Sequence, residues 1–123
     1  MKVPPIHNYA ILQLNKKKIG LLGLKALNLQ PDKAVPDTNI CLVGNDLCNK
    51  VTIRHASISR TDCNALLDDG NLLDFNINYI SAILSTTGSS SGSLAVDIYG
   101  NVVALQCARG ATSLAYLLPV DLL

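Results

Sequence analysis

Apolar residues fall along this chain in short runs, most of four to eight residues, broken by Gly, Asn, Asp and Pro. Val and Ile are frequent within them, and β-branched side chains suit a pleated, half-buried surface, so the runs predict strands rather than helices. The expected strands are Tyr9–Leu14, Asn39–Val43, Val51–Arg60, Tyr79–Leu84, Leu94–Asp97, Val102–Gln106 and Ala115–Leu118. Gly44-Asn45-Asp46, Asp68-Asp69-Gly70-Asn71 and Tyr99-Gly100-Asn101 supply turn chemistry between them. Links this short join antiparallel neighbours, because a parallel pair needs a crossover of a dozen residues or more. The pattern therefore predicts an all-β barrel or sandwich.

Two stretches depart from it. Leu21–Leu29 is Leu-rich, but Gly20 and Gly23 weaken a helix there and Pro31 and Pro36 prevent its extension, so an irregular linker is expected. Residues 61–77 read as a long surface loop.

Composition narrows the picture. With 123 residues and 49% hydrophobic content the chain can bury one core. Only 4% is aromatic, with no Trp, so aliphatic side chains must fill that core. Charged residues make up 15% and the net charge is +1, which argues against nucleic acid or an anionic membrane as partner. Lys16-Lys17-Lys18, the basic run, is expected to be a solvated turn. No apolar stretch approaches the roughly 20 residues that span a bilayer, and Met1-Lys2-Val3-Pro4-Pro5 lacks the apolar segment of a signal peptide, so an intracellular protein is expected. Cys41, Cys48, Cys63 and Cys107, with His7 and His55, have poor zinc spacing. They read as reduced thiols, with no metal and no cofactor implied.

The unusual segment is Thr86-Thr87-Gly88-Ser89-Ser90-Ser91-Gly92-Ser93. Taken alone it is ambiguous, since Gly/Ser-rich stretches are usually flexible linkers, and it lacks the Gly-Lys-Ser/Thr ending of a phosphate loop. Its position between two apolar strands favours an ordered turn instead. A nucleophilic serine needs a tight, glycine-permitted turn that exposes the hydroxyl and aims backbone N–H groups at a developing oxyanion.

From Ile6 to Leu122 the chain resembles the HtrA/Deg-type trypsin-like serine proteases, and in particular the fungal nuclear pro-apoptotic group with two protease repeats. The resemblance rests on Ile6-His7-Asn8-Tyr9-Ala10-Ile11-Leu12, Val43-Gly44-Asn45-Asp46, Ile58-Ser59-Arg60-Thr61-Asp62, Asp74-Phe75-Asn76, Gly88-Ser89-Ser90-Ser91-Gly92-Ser93, Val103-Ala104-Leu105-Gln106 and Leu118-Pro119-Val120-Asp121. It implies a trypsin-like fold. Residues 1–37 would be the last strand of a first barrel and the inter-barrel linker, and 38–123 a six-stranded C-terminal barrel carrying the nucleophile loop.

The resemblance also assigns roles. Ser91, before Gly92-Ser93, falls on the nucleophile, although Leu94 stands where the family has Pro. The backbone N–H groups of Ser91 and Ser89 would form the oxyanion hole, with Ser89 replacing a family Gly. Asn8 stands at the position of the triad Asp in the family's His-Asp-Phe-Gly segment. An amide there favours the wrong imidazole tautomer, and in trypsin that exchange lowers turnover about 10⁴-fold. The triad His belongs to the first barrel, upstream of the Asp, and the seven residues before Asn8 leave no room for it. His7, adjacent on an extended segment, would face away from Asn8, and His55 reads as an ordinary strand residue. Val103, Ala104, Leu105 and Gln106, with Cys107, would border a specificity pocket for a small or aliphatic residue, and Arg109 reads as a solvated loop residue. The family's PDZ domains have no counterpart in the sequence.

Three functions compete: a fragment of a serine endopeptidase, inactive as an isolated chain; a pseudoprotease barrel that binds peptides or serves structurally; and an unrelated β-barrel with a Ser-rich loop. The expected partners are polypeptide substrates or peptide ligands, and either the missing first barrel or a second copy covering apolar surface around Ile11, Leu12 and the Ser91 loop. The resemblance implies a nuclear location.

Overall fold

A computed structural model describes residues 9–45, 50–63, 78–84, 91–109 and 114–122. Six strands run in chain order: β1 (Asn39–Asn45), β2 (Val51–Cys63), β3 (Tyr79–Leu84), β4 (Leu94–Val96), β5 (Val102–Arg109) and β6 (Leu114–Pro119). They close into a barrel in the order β1-β2-β3-β6-β5-β4, every neighbouring pair antiparallel. Closure gives each strand a partner on both sides, so the barrel presents no open edge.

The alternation along β1 shows how the sequence builds the wall. Ile40 and Leu42 point inward and are buried, whereas Asn39, Cys41 and Val43 face outward. Strands β3 and β6 are buried along most of their length. The main core joins Ile40, Leu42, Ile58, Ile80, Leu84, Val103 and Leu117 to five alanines, Ala56, Ala82, Ala95, Ala104 and Ala115. Mixing large aliphatic side chains with alanines is how a barrel this narrow fills its interior without overpacking. A second cluster, Tyr79, Tyr116 and Leu118, gathers Tyr9, Cys63, Leu105 and Cys107 around it.

The Asp97–Asn101 turn between β4 and β5 is built by one carboxylate. Asp97 Oδ1 accepts from the backbone N–H of Tyr99 and of Asn101, each at 2.9 Å, and Oδ2 accepts from Asn101 Nδ2 at 3.1 Å. Gly100 adopts φ 84°, a conformation that side-chain-bearing residues rarely tolerate.

Two expectations are corrected. Tyr9–Leu14 is not a strand: within it only Ile11 makes an isolated bridge, and the six barrel strands pair among themselves. Lys16-Lys17-Lys18 is not a turn but opens a helix, α1 (Lys16–Leu22). Asn15 Oδ1 accepts from Lys17 N at 3.0 Å and Lys18 N at 3.4 Å, and Gly23 at φ 64° ends the helix. Gly20 thus falls near the helix end, where its entropic cost is small, and the cap and terminator outweigh it. Beyond α1 the chain is irregular until it is tied to the barrel, with Gln30 N donating to Val102 O at 2.9 Å and Val102 N to Asn28 O at 2.8 Å. Strand β2 continues to Cys63, so residues 61–63 belong to the barrel and not to the expected surface loop. Its remainder, with Asp68-Asp69-Gly70-Asn71, lies outside the described residues.

Candidate active site

Two strands and one turn set the position of Ser91. Gly92 takes φ 90°, reversing the chain just before β4. Its N–H donates to Gln106 O at 2.7 Å, and Gln106 N returns a bond to Ser93 O at 2.9 Å. The turn is thereby clamped to β5. From the other side β1 closes in: Gly44 lies against Ser93, so that a Cβ on Gly44 would stand 2.9 Å from Ser93 Cβ and 3.3 Å from its Cα. Backbone is that close only because Gly44 has no side chain.

The Ser91 side chain is exposed, and its Oγ donates to the carbonyl of Cys107 at 3.2 Å. That carbonyl is available because the β5–β6 register shifts between Gln106 and Ala108, which interrupts the regular ladder at Cys107. Bulges re-aim groups next to functional sites in this way. The Cys107 thiol donates to Tyr116 O at 3.4 Å, and burial pushes its pKa up to about 12, so it stays protonated at neutral pH and is no rival nucleophile. A carbonyl orients a hydroxyl but cannot remove its proton, so activation of Ser91 requires a base from elsewhere.

Asn8 and Ser89 lie outside the described residues, as does His7. Val103 and Ala104 are packed in the main core, Gln106 is buried, and Leu105 is half-buried beside the tyrosine cluster. The backbone N–H and C=O of Gln106 bond to the serine turn. His55 is on the outer wall, its Nδ1 3.6 Å from Cys41 Sγ. Sequence reasoning passed over Gly44 as a site residue, although it sits within the Val43-Gly44-Asn45-Asp46 landmark, and the contact with Ser93 has no local signal. Among the described residues no cluster of three or more His, Cys, Asp or Glu could hold a metal, and no helix is long and apolar enough to cross a membrane.

A closed six-stranded antiparallel barrel with a serine exposed on a glycine turn before its fourth strand defines the class: a trypsin-like serine protease fold. The HtrA-type protease AlgW, solved in a serine-to-alanine form with a decapeptide, superimposes with a TM-score of 0.65 at 21% identity, over 79% of this chain and 30% of that one. The pro-apoptotic serine protease nma111 of Aspergillus niger is 42% identical over 119 residues, 95% of this chain and 12% of that protein. The pro-apoptotic serine protease NMA111 of Coccidioides immitis and a PDZ domain-containing protein of Schizosaccharomyces pombe are each also 42% identical, over the same shares. No protein-family model matches the chain. Over 95% of its length the chain is similar to HtrA-type, pro-apoptotic serine proteases, and it spans about 12% of the length of the curated relatives it matches.

Proposed function

We propose that this chain is the nucleophile-bearing barrel of a serine endopeptidase, with Ser91 as the attacking residue, and that it is catalytically silent by itself. The observation that carries the reading is the hydroxyl of Ser91, exposed on a clamped glycine turn and directed by the Cys107 carbonyl. In the reaction, Ser91 Oγ would attack the scissile carbonyl as a histidine takes its proton, giving an acyl-enzyme that water then hydrolyses. The backbone N–H groups of Ser91 and Ser89 would hold the oxyanion. The histidine would come from a preceding barrel, for which residues 1–37 form the tail and linker and 38–123 the second half. Polypeptides are the substrates, and the sequence resemblance to the nuclear pro-apoptotic group implies an intracellular, nuclear setting.

Asn8 supports a second reading, a pseudoprotease that retains the barrel to bind peptides. Even with a histidine supplied, an amide at the aspartate position would leave turnover about 10⁴-fold down. A fluorophosphonate probe separates the readings. The chain alone should remain unlabelled. Joined to a first barrel with its histidine and with Asn8→Asp, it should label at Ser91, and Ser91→Ala should abolish the adduct. Labelling of the isolated chain at Ser91 would overturn catalytic silence. An unlabelled but folded reconstituted protein would leave the pseudoprotease.

A further inference from the structure

Away from Ser91, the outer wall pairs a thiol with a base. Cys41 and His55 are direct partners in the β1–β2 ladder, whose register runs without interruption from Asn39↔Ser57 to Asn45↔Val51. Directly opposed residues on one face of an antiparallel pair bring their Cβ atoms within about 5.5 Å, so the ladder fixes their approach. Cys41 Sγ lies 3.6 Å from His55 Nδ1, at hydrogen-bonding distance for sulfur.

The surroundings suit a small reactant. Cys41 is half-buried, with Val96 of β4 opposite it on its other side, while His55 is exposed. His55 also borders an open cleft of about 580 Å³, shared with Asn39, Ser57 and Ile83. The cleft lining takes in His55 but not Cys41, so a reactant meets the thiol beside the cleft rather than within it, and the half-buried position of Cys41 disfavours bulky disulfides.

Cys107 provides an internal contrast. Its thiol donates to a carbonyl, which cannot accept a proton, and burial pushes it up to about 12. The Cys41 thiol instead faces an imidazole nitrogen, which accepts a proton in the tautomer protonated at Nε2. Free Cys63 packs beside the tyrosine cluster rather than against an imidazole.

We propose that Cys41 is a thiol-modification site activated by His55 and reactive toward small hydroperoxides. The Sγ proton passes to Nδ1, and the thiolate attacks the terminal oxygen of the hydroperoxide. The S–O bond forms as the O–O bond breaks, and the departing alkoxide or hydroxide takes the proton back from the imidazolium. Sulfur is oxidised by two electrons to the sulfenic acid and the peroxide is reduced to an alcohol or water. The site is independent of Ser91 and of any peptidase activity.

The test treats the chain with hydrogen peroxide in the presence of dimedone and maps the adducts by peptide mass spectrometry. The Cys41 adduct should form at least about tenfold faster than those on Cys63 and Cys107. In His55→Asn, whose amide can hydrogen-bond but cannot take a proton, the Cys41 rate should fall to the level of the other two. His55→Gln should do the same, so the reading survives if one variant misfolds, with circular dichroism establishing which is folded. Cys41→Ser should remove the adduct. Cys41 reacting no faster than Cys63, or a folded His55 variant reacting at the wild-type rate, would overturn the proposal.

Discussion

Glycine 44 is the residue on which the candidate site most visibly depends. Its missing side chain lets β1 and the Ser93 backbone approach, and Ser93 is bonded to β5 next to the serine turn. Gly44→Ala should therefore destabilise the barrel by about 1–3 kcal/mol, the usual cost of overpacking a filled site. Urea unfolding measures this, and an unchanged midpoint would contradict the packing. Ser91→Ala, at an exposed position, should move stability by no more than about 0.5 kcal/mol. The two variants distinguish what supports the turn from what the turn displays.

Asp97 belongs to the same scale. Burial alone would raise its carboxyl, but hydrogen bonds from the backbone and side chain of Asn101 and from the backbone of Tyr99, with the charge of Lys33, hold it below the usual carboxylate value. A carboxyl depressed on folding stabilises the protein above its unfolded value, near pH 4, and that contribution is lost as pH falls through the folded value. Wild type should accordingly exceed Asp97→Asn in thermal midpoint at pH 7, and the gap should narrow below about pH 4. A gap constant across that range would exclude the carboxylate as the cause.

Among the elements, β1 and β2 were legible in the sequence because turn residues bracket them and one face alternates with the other. Strand β4, three residues long, was legible from its apolar run and from the Tyr99-Gly100-Asn101 turn beyond it. The helix Lys16–Leu22 was not, because a capped start at Asn15 and a stop at Gly23 were outweighed by the glycines and by the lysine run. Tyr9–Leu14 carries a strand-like pattern without becoming one, since a strand needs a paired neighbour and an apolar run by itself does not supply it. Within the core, Leu42→Ala should cost about 2–5 kcal/mol, because Leu42 is almost completely enclosed and little can collapse into the space. Asn15→Ala, by contrast, should lower helical content while leaving the barrel's unfolding midpoint nearly unchanged, since α1 buries no residue.

For the whole molecule, the notable property is what the barrel leaves uncovered. Leu12, Leu14, Leu21, Leu22, Leu24 and Leu27 are each more than half exposed, Leu21 at 88%, along the segment that precedes β1. Apolar surface concentrated in this way promotes association. The chain should bind a hydrophobic dye and self-associate, and replacing Leu21, Leu22 and Leu24 with Ser should reduce both without altering the barrel's thermal midpoint. A monodisperse monomer that binds no dye would show that the segment covers itself.

The sequence by itself determined the all-β class, the cores of the barrel strands, the hairpin at Tyr99-Gly100-Asn101 and the serine turn, because each depends on residues adjacent in the chain. The ordered landmarks further tied it to the HtrA-type proteases. Tertiary structure alone decided that Gly44 meets Ser93, that a register shift frees the Cys107 carbonyl for Ser91, and that Cys41 faces His55. Those pairings join residues far apart in the chain, and strand register and barrel closure, which set them, are fixed by packing across the whole wall.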